Sequence, residues 1–120
     1  PAFWVGLLYD DSALEAAWDL VKDFTAEERE DLRRGAAKIA LKTPFRSGTL
    51  QDLAKEALAI SRSGLKARQR LNGHGEHEAV FLDDLDAIAA SGECPAETLI
   101  RRWREEWDES VEPLFEACAY

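Results

Sequence analysis

Lys42-Thr43-Pro44-Phe45-Arg46 puts two cations and a hydroxyl into a short, proline-stiffened stretch of an otherwise acidic chain. A phosphate or carboxylate suits that chemistry, because an arginine presents a planar fork of donors matching two oxygens and a lysine adds a compact charge. A plainer reading stands beside it, in which both cations offset neighbouring acids while Phe45 anchors the loop. His74, Glu76, His77 and Glu78 crowd together and are of metal-ligating types. Gly73 and Gly75 lie among them, and a polar glycine-containing loop with no evident further ligand lacks the rigid support a metal site needs, so the segment reads as solvated. Cys94 precedes Pro95, where a helix N-terminus stabilises a thiolate, but no base adjoins it and it reads as an inert thiol. Trp103 and Trp107 stand one helical turn apart and read as core, whereas Trp4 reads as core or as the wall of a pocket. No nucleophile elbow, Walker loop, Rossmann glycine pattern or metal-binding helix motif is present. Spacing alone names no reaction.

The elements that must position these residues follow from periodicity. Residues 2–9, Ala-Phe-Trp-Val-Gly-Leu-Leu-Tyr, form an aromatic and β-branched run that ends at Asp10-Asp11 and reads as a buried strand. Ser12 with Glu15 makes a capping-box pattern for a helix over 12–24, with Leu14, Ala17, Trp18, Val21 and Phe24 at helical spacing. Thr25 with Glu28 repeats the box for a second helix bearing Leu32, Ala36 and Ile39, which Gly35 weakens. Residues 41–48 break the rhythm and read as a loop. Thr49 with Asp52 opens a third helix whose stripe is Leu50, Leu53, Ala57, Ile60 and Gly64, and a glycine there signals the close approach of another backbone. Asn72-Gly73 stops it, and residues 72–78 form an exposed loop. Phe81, Leu82, Leu85, Ile88 and Ala89 mark a fourth helix ending at Ser91-Gly92. Pro95 opens a fifth, with Leu99, Ile100, Trp103 and Trp107 on its stripe. Pro113 ends what precedes it, leaving a short apolar tail to Tyr120. The expected fold is mainly α, about five helices plus one N-terminal strand. A lone strand leaves a row of buried amides unpaired, so its neighbours come from a sheet in a missing N-terminal part or from a second copy.

With 120 residues the chain makes one domain, residues 1–120. It carries 24 acidic and 15 basic side chains, a formal charge of -9, with no long run of lysine and arginine, which excludes nucleic acid as a partner. No apolar run approaches the roughly 18 residues that cross a bilayer, so no membrane is spanned. Two cysteines without a CxxC spacing point to a reducing, cytoplasmic setting. A chain that starts at Pro1 and enters an apolar run at once, without the regions of a signal peptide, reads as a piece of something longer.

Four blocks carry a resemblance: Pro1-Ala-Phe-Trp-Val-Gly-Leu-Leu-Tyr-Asp10, Leu41-Lys-Thr-Pro-Phe-Arg46 with Gly48, Cys94-Pro-Ala-Glu97, and Ser110-Val-Glu-Pro-Leu-Phe115 with the terminal Tyr120. In order and spacing the chain resembles the carboxyl-terminal region of the glutamate–cysteine ligases of plants and many proteobacteria. That resemblance implies a reaction in which ATP, with magnesium, phosphorylates the γ-carboxylate of glutamate and the amine of cysteine attacks the acyl phosphate, the first step of glutathione synthesis. It implies a larger α+β fold with an antiparallel sheet around a funnel-shaped active site, residues 2–9 being one strand and residues 12–120 a helical arm outside it. It makes Trp4, Lys42 and Arg46 the substrate-binding candidates and assigns no catalytic residue. No magnesium ligand is expected here, since the acids lie on solvated helix faces. ATP and magnesium belong to the intact enzyme, and neither is expected on this segment alone. The implied partners are glutamate, cysteine, ATP, the missing N-terminal part, and a second copy through residues 2–9. On this reading the segment is inactive by itself. The alternative is a free-standing helical interaction module derived from that region, which binds a protein through its strand edge and apolar tail.

Overall fold

Capping chemistry and helical periodicity carry most of the chain into helices. The computed structural model describes residues 1–119 and contains α1 (Ala2–Leu8), α2 (Asp11–Val21), α3 (Ala26–Ile39), α4 (Leu50–Arg68), α5 (Asp83–Ser91), α6 (Pro95–Glu105) and α7 (Glu112–Ala117). A small antiparallel hairpin, β1 (Pro44–Phe45) and β2 (Gly48–Thr49), pairs Pro44 with Thr49 and Phe45 with Gly48. Single 3₁₀ turns span Ala40–Lys42 and Glu78–Leu82. The mainly α class expected from the sequence is therefore the observed one. Tyr120, part of the expected tail, lies outside the described residues.

The expected N-terminal strand over residues 2–9 is instead a helix. A short apolar run has no period that separates a buried strand from a buried helix. The helix closes its own amides, with Val5 N–H donating to the Pro1 carbonyl and Tyr9 N–H to the Val5 carbonyl, each at 3.1 Å. No outside strand is needed, and residues 2–9 offer no edge for a second copy to pair with. Helical geometry also lays Gly6 on α4. A Cβ at Gly6 would overlap the Ser61 carbonyl, and one at Gly64 would overlap the Gly6 carbonyl oxygen and come within 2.9 Å of the Ala13 methyl. The fully buried Ser61 hydroxyl donates to the Phe3 carbonyl at 2.9 Å. Gly64 thus marks a close backbone approach, as its position on the stripe predicts, and the backbone is that of α1.

Local signals place the other helix ends with some corrections. Thr25 with Glu28 and Thr49 with Asp52 form complete capping boxes at α3 and α4. The cap of α2 is Asp10 rather than Ser12, its carboxylate accepting the Ala13 N–H at 3.0 Å and the Ser12 hydroxyl. An ionised carboxylate also complements the positive end of the helix dipole. Helix α4 stops at Arg68, with Gln69 left-handed, before the Asn72-Gly73 expected to end it. Pro113 lies in the first turn of α7 rather than ending an element, because a proline there has no amide to waste. Gly35 is not merely a weak spot in α3: a Cβ there would overlap the side chain of Thr43, which is buried against it.

The core gathers on α4, where Leu58 and Leu65 meet Ala79, Leu82 and Ala89, and Ala2, Phe3 and Val5 of α1 cover it. The buried residues of α4 are Leu58, Ser61, Gly64 and Leu65; of the expected stripe Gly64 is buried, and Leu50, Leu53, Ala57 and Ile60 are half-buried. Neither α6 nor α7 contains a buried residue. The molecule measures 50 × 43 × 18 Å with a radius of gyration of 17.1 Å. A compact chain of this length has about 13–14 Å, so this one is a slab.

Candidate functional site

The cation-bearing loop between α3 and α4 is built from Thr43 outward. Its hydroxyl donates to the Ala40 carbonyl at 2.7 Å, and its own carbonyl accepts the Leu50 N–H at 2.8 Å, which ties both ends of the loop together. Between them the hairpin turns on Arg46 and Ser47, with Arg46 at φ 50°. That left-handed backbone suits glycine and costs a residue with a Cβ about 1–2 kcal/mol. The guanidinium offsets the strain. Arg46 Nε donates to Glu28 Oε1 at 2.8 Å, and Nη2 donates to Glu28 Oε2 and to the Asp23 carbonyl, each at 3.1 Å. The group also lies 5.2 Å from the ring centre of Phe24 and 5.1 Å from that of Phe45.

Lys42 is held from another direction. Its ammonium donates to Glu97 Oε1 of α6 at 2.6 Å, while Oε2 of the same carboxylate accepts the Cys94 N–H at 3.0 Å. Trp4, on α1, is 63% exposed and meets Phe3 edge-on at 5.5 Å between ring centres. The three expected contact residues therefore have separate partners. A cavity of about 240 Å³ adjoins Arg46, with Phe24, Phe45, Thr49, Asp52 and Glu56 also in its wall. Arg46 Nη1 and two of the three Lys42 N–H donors make no hydrogen bond among the described residues.

Glu28 and Glu97 each serve twice, as a helix cap and as the partner of a loop cation. Their spacing from Thr25 and Cys94 reveals the first role. The second joins residues 18 and 55 positions apart, which no local pattern signals. The Arg46 guanidinium, followed by the Thr25 N–H, holds the Glu28 carboxyl down from its ordinary 4.5 to about 2. The Lys42 ammonium, followed by the Cys94 N–H, does the same to Glu97, again to about 2. Folded-state values below the unfolded ones mean that both carboxylates contribute their stabilisation fully above about pH 4.5 and lose it as the pH falls through about 2. The prediction is a melting temperature that declines across that acid range, with a shallower decline in Glu28→Gln/Glu97→Gln. An unchanged slope in the double variant would refute the assignment.

The other sequence candidates fall elsewhere. His77 Nδ1 accepts the Ala79 N–H at 3.1 Å and caps a 3₁₀ turn, while Asn72 Oδ1 organises its loop by accepting the N–H groups of His74 and Glu76, each at 2.9 Å. Among the described residues no three His, Cys, Asp or Glu side chains converge. Trp103 and Trp107 are half-buried and line an apolar groove of about 360 Å³ with Leu99, Ile100, Val111 and Leu114, the last from α7; neither belongs to the buried cluster on α4. Cys94 is half-buried and Cys118 exposed, both as free thiols.

Comparison with known proteins places this arrangement. The model of the glutamate–cysteine ligase family 2 matches residues 1–117. Over all 120 residues the chain is 46% identical to chloroplastic glutamate–cysteine ligase A of Oryza sativa subsp. indica, 45% identical to the chloroplastic glutamate–cysteine ligase of Arabidopsis thaliana and 40% identical to that of Solanum lycopersicum. It spans 23%, 22% and 22% of their respective lengths. Their chloroplastic designation overturns the cytoplasmic expectation. Cysteine spacing reports only the lack of a disulfide framework and does not separate one reducing compartment from another. The match from the first residue of α1 through the last of α7 shows that the chain belongs to glutamate–cysteine ligase family 2.

Proposed function

We propose that this chain is the helical part of an ATP-dependent ligase that joins the γ-carboxylate of glutamate to the amine of cysteine, committing both to glutathione synthesis. The observation that carries this reading is a match over 100% of the chain to enzymes named glutamate–cysteine ligase. In such a reaction ATP supplies the phosphoryl group that turns the carboxylate into a displaceable acyl phosphate. Forming the amide releases phosphate. Magnesium would be held by the remaining polypeptide.

What this chain supplies is position and charge. Arg46 and Lys42 face substrate carboxylate oxygens from a loop clamped at both ends. Fixed cations of this kind stabilise developing negative charge without reorganising. Two measurements test the reading. The purified 120-residue chain is expected to form no γ-glutamylcysteine from glutamate, cysteine and ATP, and steady turnover by it would refute the division of labour. In a family-length ligase carrying this segment, Arg46→Ala is expected to lower kcat/KM roughly thirtyfold, equivalent to about 2 kcal/mol. Wild-type kinetics with an intact fold would retire Arg46 as a substrate contact and leave it as the clamp on Glu28.

A further inference from the structure

Helices α1 and α2 turn large apolar side chains to solvent in register. On α2 these are Leu14, Trp18 and Val21, spaced i, i+4 and i+7, and on α1 they are Trp4 and Leu8, spaced i and i+4. Both helices pack on α4 and against each other, burying Gly6, Leu7 and Ala13, so what they turn away from α4 lies on one broad side of the slab. Trp4 and Trp18 are each 63% exposed. Apolar residues scattered singly on a surface need no explanation, whereas five large exposed ones grouped on two helices that pack together mark a contact site.

Acidic charge follows the α2 edge of the patch, while Arg68 lies over the Tyr9 ring at the end of α1. Asp11, Glu15 and Asp19 are exposed and follow the edge of the α2 stripe at i, i+4 and i+8, with Asp23 beyond them. The one basic residue of α2 and its C-cap, Lys22, is already paired with Asp19 at 2.7 Å. Two copies of this face brought together would oppose two acidic rows, in a chain of formal charge -9. Like charges across an interface select against that pairing.

We propose that the α1–α2 face seats the remaining polypeptide of a family-length ligase, on an apolar surface bordered by lysine and arginine. The inference rests on the reading of the chain as part of that enzyme. Since the chain spans only 22–23% of the relatives it matches, more than three quarters of such a polypeptide is available to cover the face. An 18 Å slab is about two helix layers deep, and it has no interior of its own on that side in which to bury two tryptophans.

The test is hydroxyl-radical oxidation, read by mass spectrometry at Trp4 and Trp18. It compares the 120-residue chain with the Oryza sativa relative carrying this chain in place of its own corresponding segment. Oxidation of Trp18 is expected to be at least tenfold slower in the chimaera, and Asp11→Lys/Glu15→Lys/Asp19→Lys or high salt should reduce that protection. Equal oxidation in a folded chimaera would overturn the proposal. For the isolated chain, light scattering should show a monomer with Trp18 reactive at every concentration. A dimer that protects Trp18 and is broken by Trp18→Glu would assign the face to a second copy and overturn the proposal even if the chimaera failed to fold. Ligase turnover separates the two readings: an active chimaera with Trp18 exposed defeats the docking face alone, and an inactive one with Trp18 protected counts against the functional reading alone.

Discussion

Gly64→Val is expected to lift α1 from α4 and to lower the unfolding free energy by about 3 kcal/mol, at or beyond the upper end of ordinary overpacking. The reason lies in what the new side chain meets. A Cβ at residue 64 would overlap the Gly6 carbonyl oxygen and stand 2.9 Å from the Ala13 methyl. A long side chain rotates away from such a contact, but a helix backbone moves only as a unit. Displacing α1 also releases the burial of Leu7 and the Ser61 to Phe3 hydrogen bond. Helix propensity works in the opposite direction, favouring valine over glycine by a few tenths of a kcal/mol, so a loss isolates the close approach. The measurement is urea denaturation of the parent, Gly64→Val and the control Gly73→Ala, whose Cβ meets nothing within 4 Å. The control is expected to be near neutral. A Gly64→Val transition coincident with the parent would show that α1 does not rest on α4.

Leu82→Ala should cost about 3–4 kcal/mol, within the range for a fully buried leucine. Leu82 is 0% exposed and sits among Leu58, Leu65, Ala79 and Ala89. Among the described residues only seven apolar side chains are buried, so the cavity removes a large share of a small core. A domain of this size is stable by only about 6–18 kcal/mol, and the variant is expected to melt well below the parent. The paired control is Phe81→Ala. Phe81 is adjacent and larger but 59% exposed, so its truncation should cost less than about 1 kcal/mol. Composition ranks the phenylalanine first, and the fold ranks it second. Equal losses from both would contradict the core described here.

Much of the site's scaffold was legible in the residues. The boxes Thr25–Glu28 and Thr49–Asp52 are contacts across three residues, so their spacing alone brackets the loop that carries Lys42 and Arg46. Gly92 at φ 71° ends α5 as a glycine there predicts, and Pro95 opens α6 for an equally local reason. The fate of the two loop cations was not legible. Lys42 reaches Glu97 and Arg46 reaches Glu28 only because α3 and α6 are brought to the same loop, and charge counts name no particular partner.

The sequence by itself determined where helices start and stop across most of the chain, because caps and apolar spacing act within one or two turns. It also determined family membership, because the order of its blocks over residues 1–117 survives whatever shape they take. Only the tertiary structure decided that residues 2–8 are helical, which residues of the α4 stripe are buried most deeply, and that Trp4 and Trp18 stay exposed. An apolar run is content in a strand or a helix, and an apolar stripe has no preferred neighbour until one arrives. For α1 that neighbour is α4, approached through Gly6, Gly64 and Ser61, residues nearly sixty positions apart whose fit exists only when both backbones are in place.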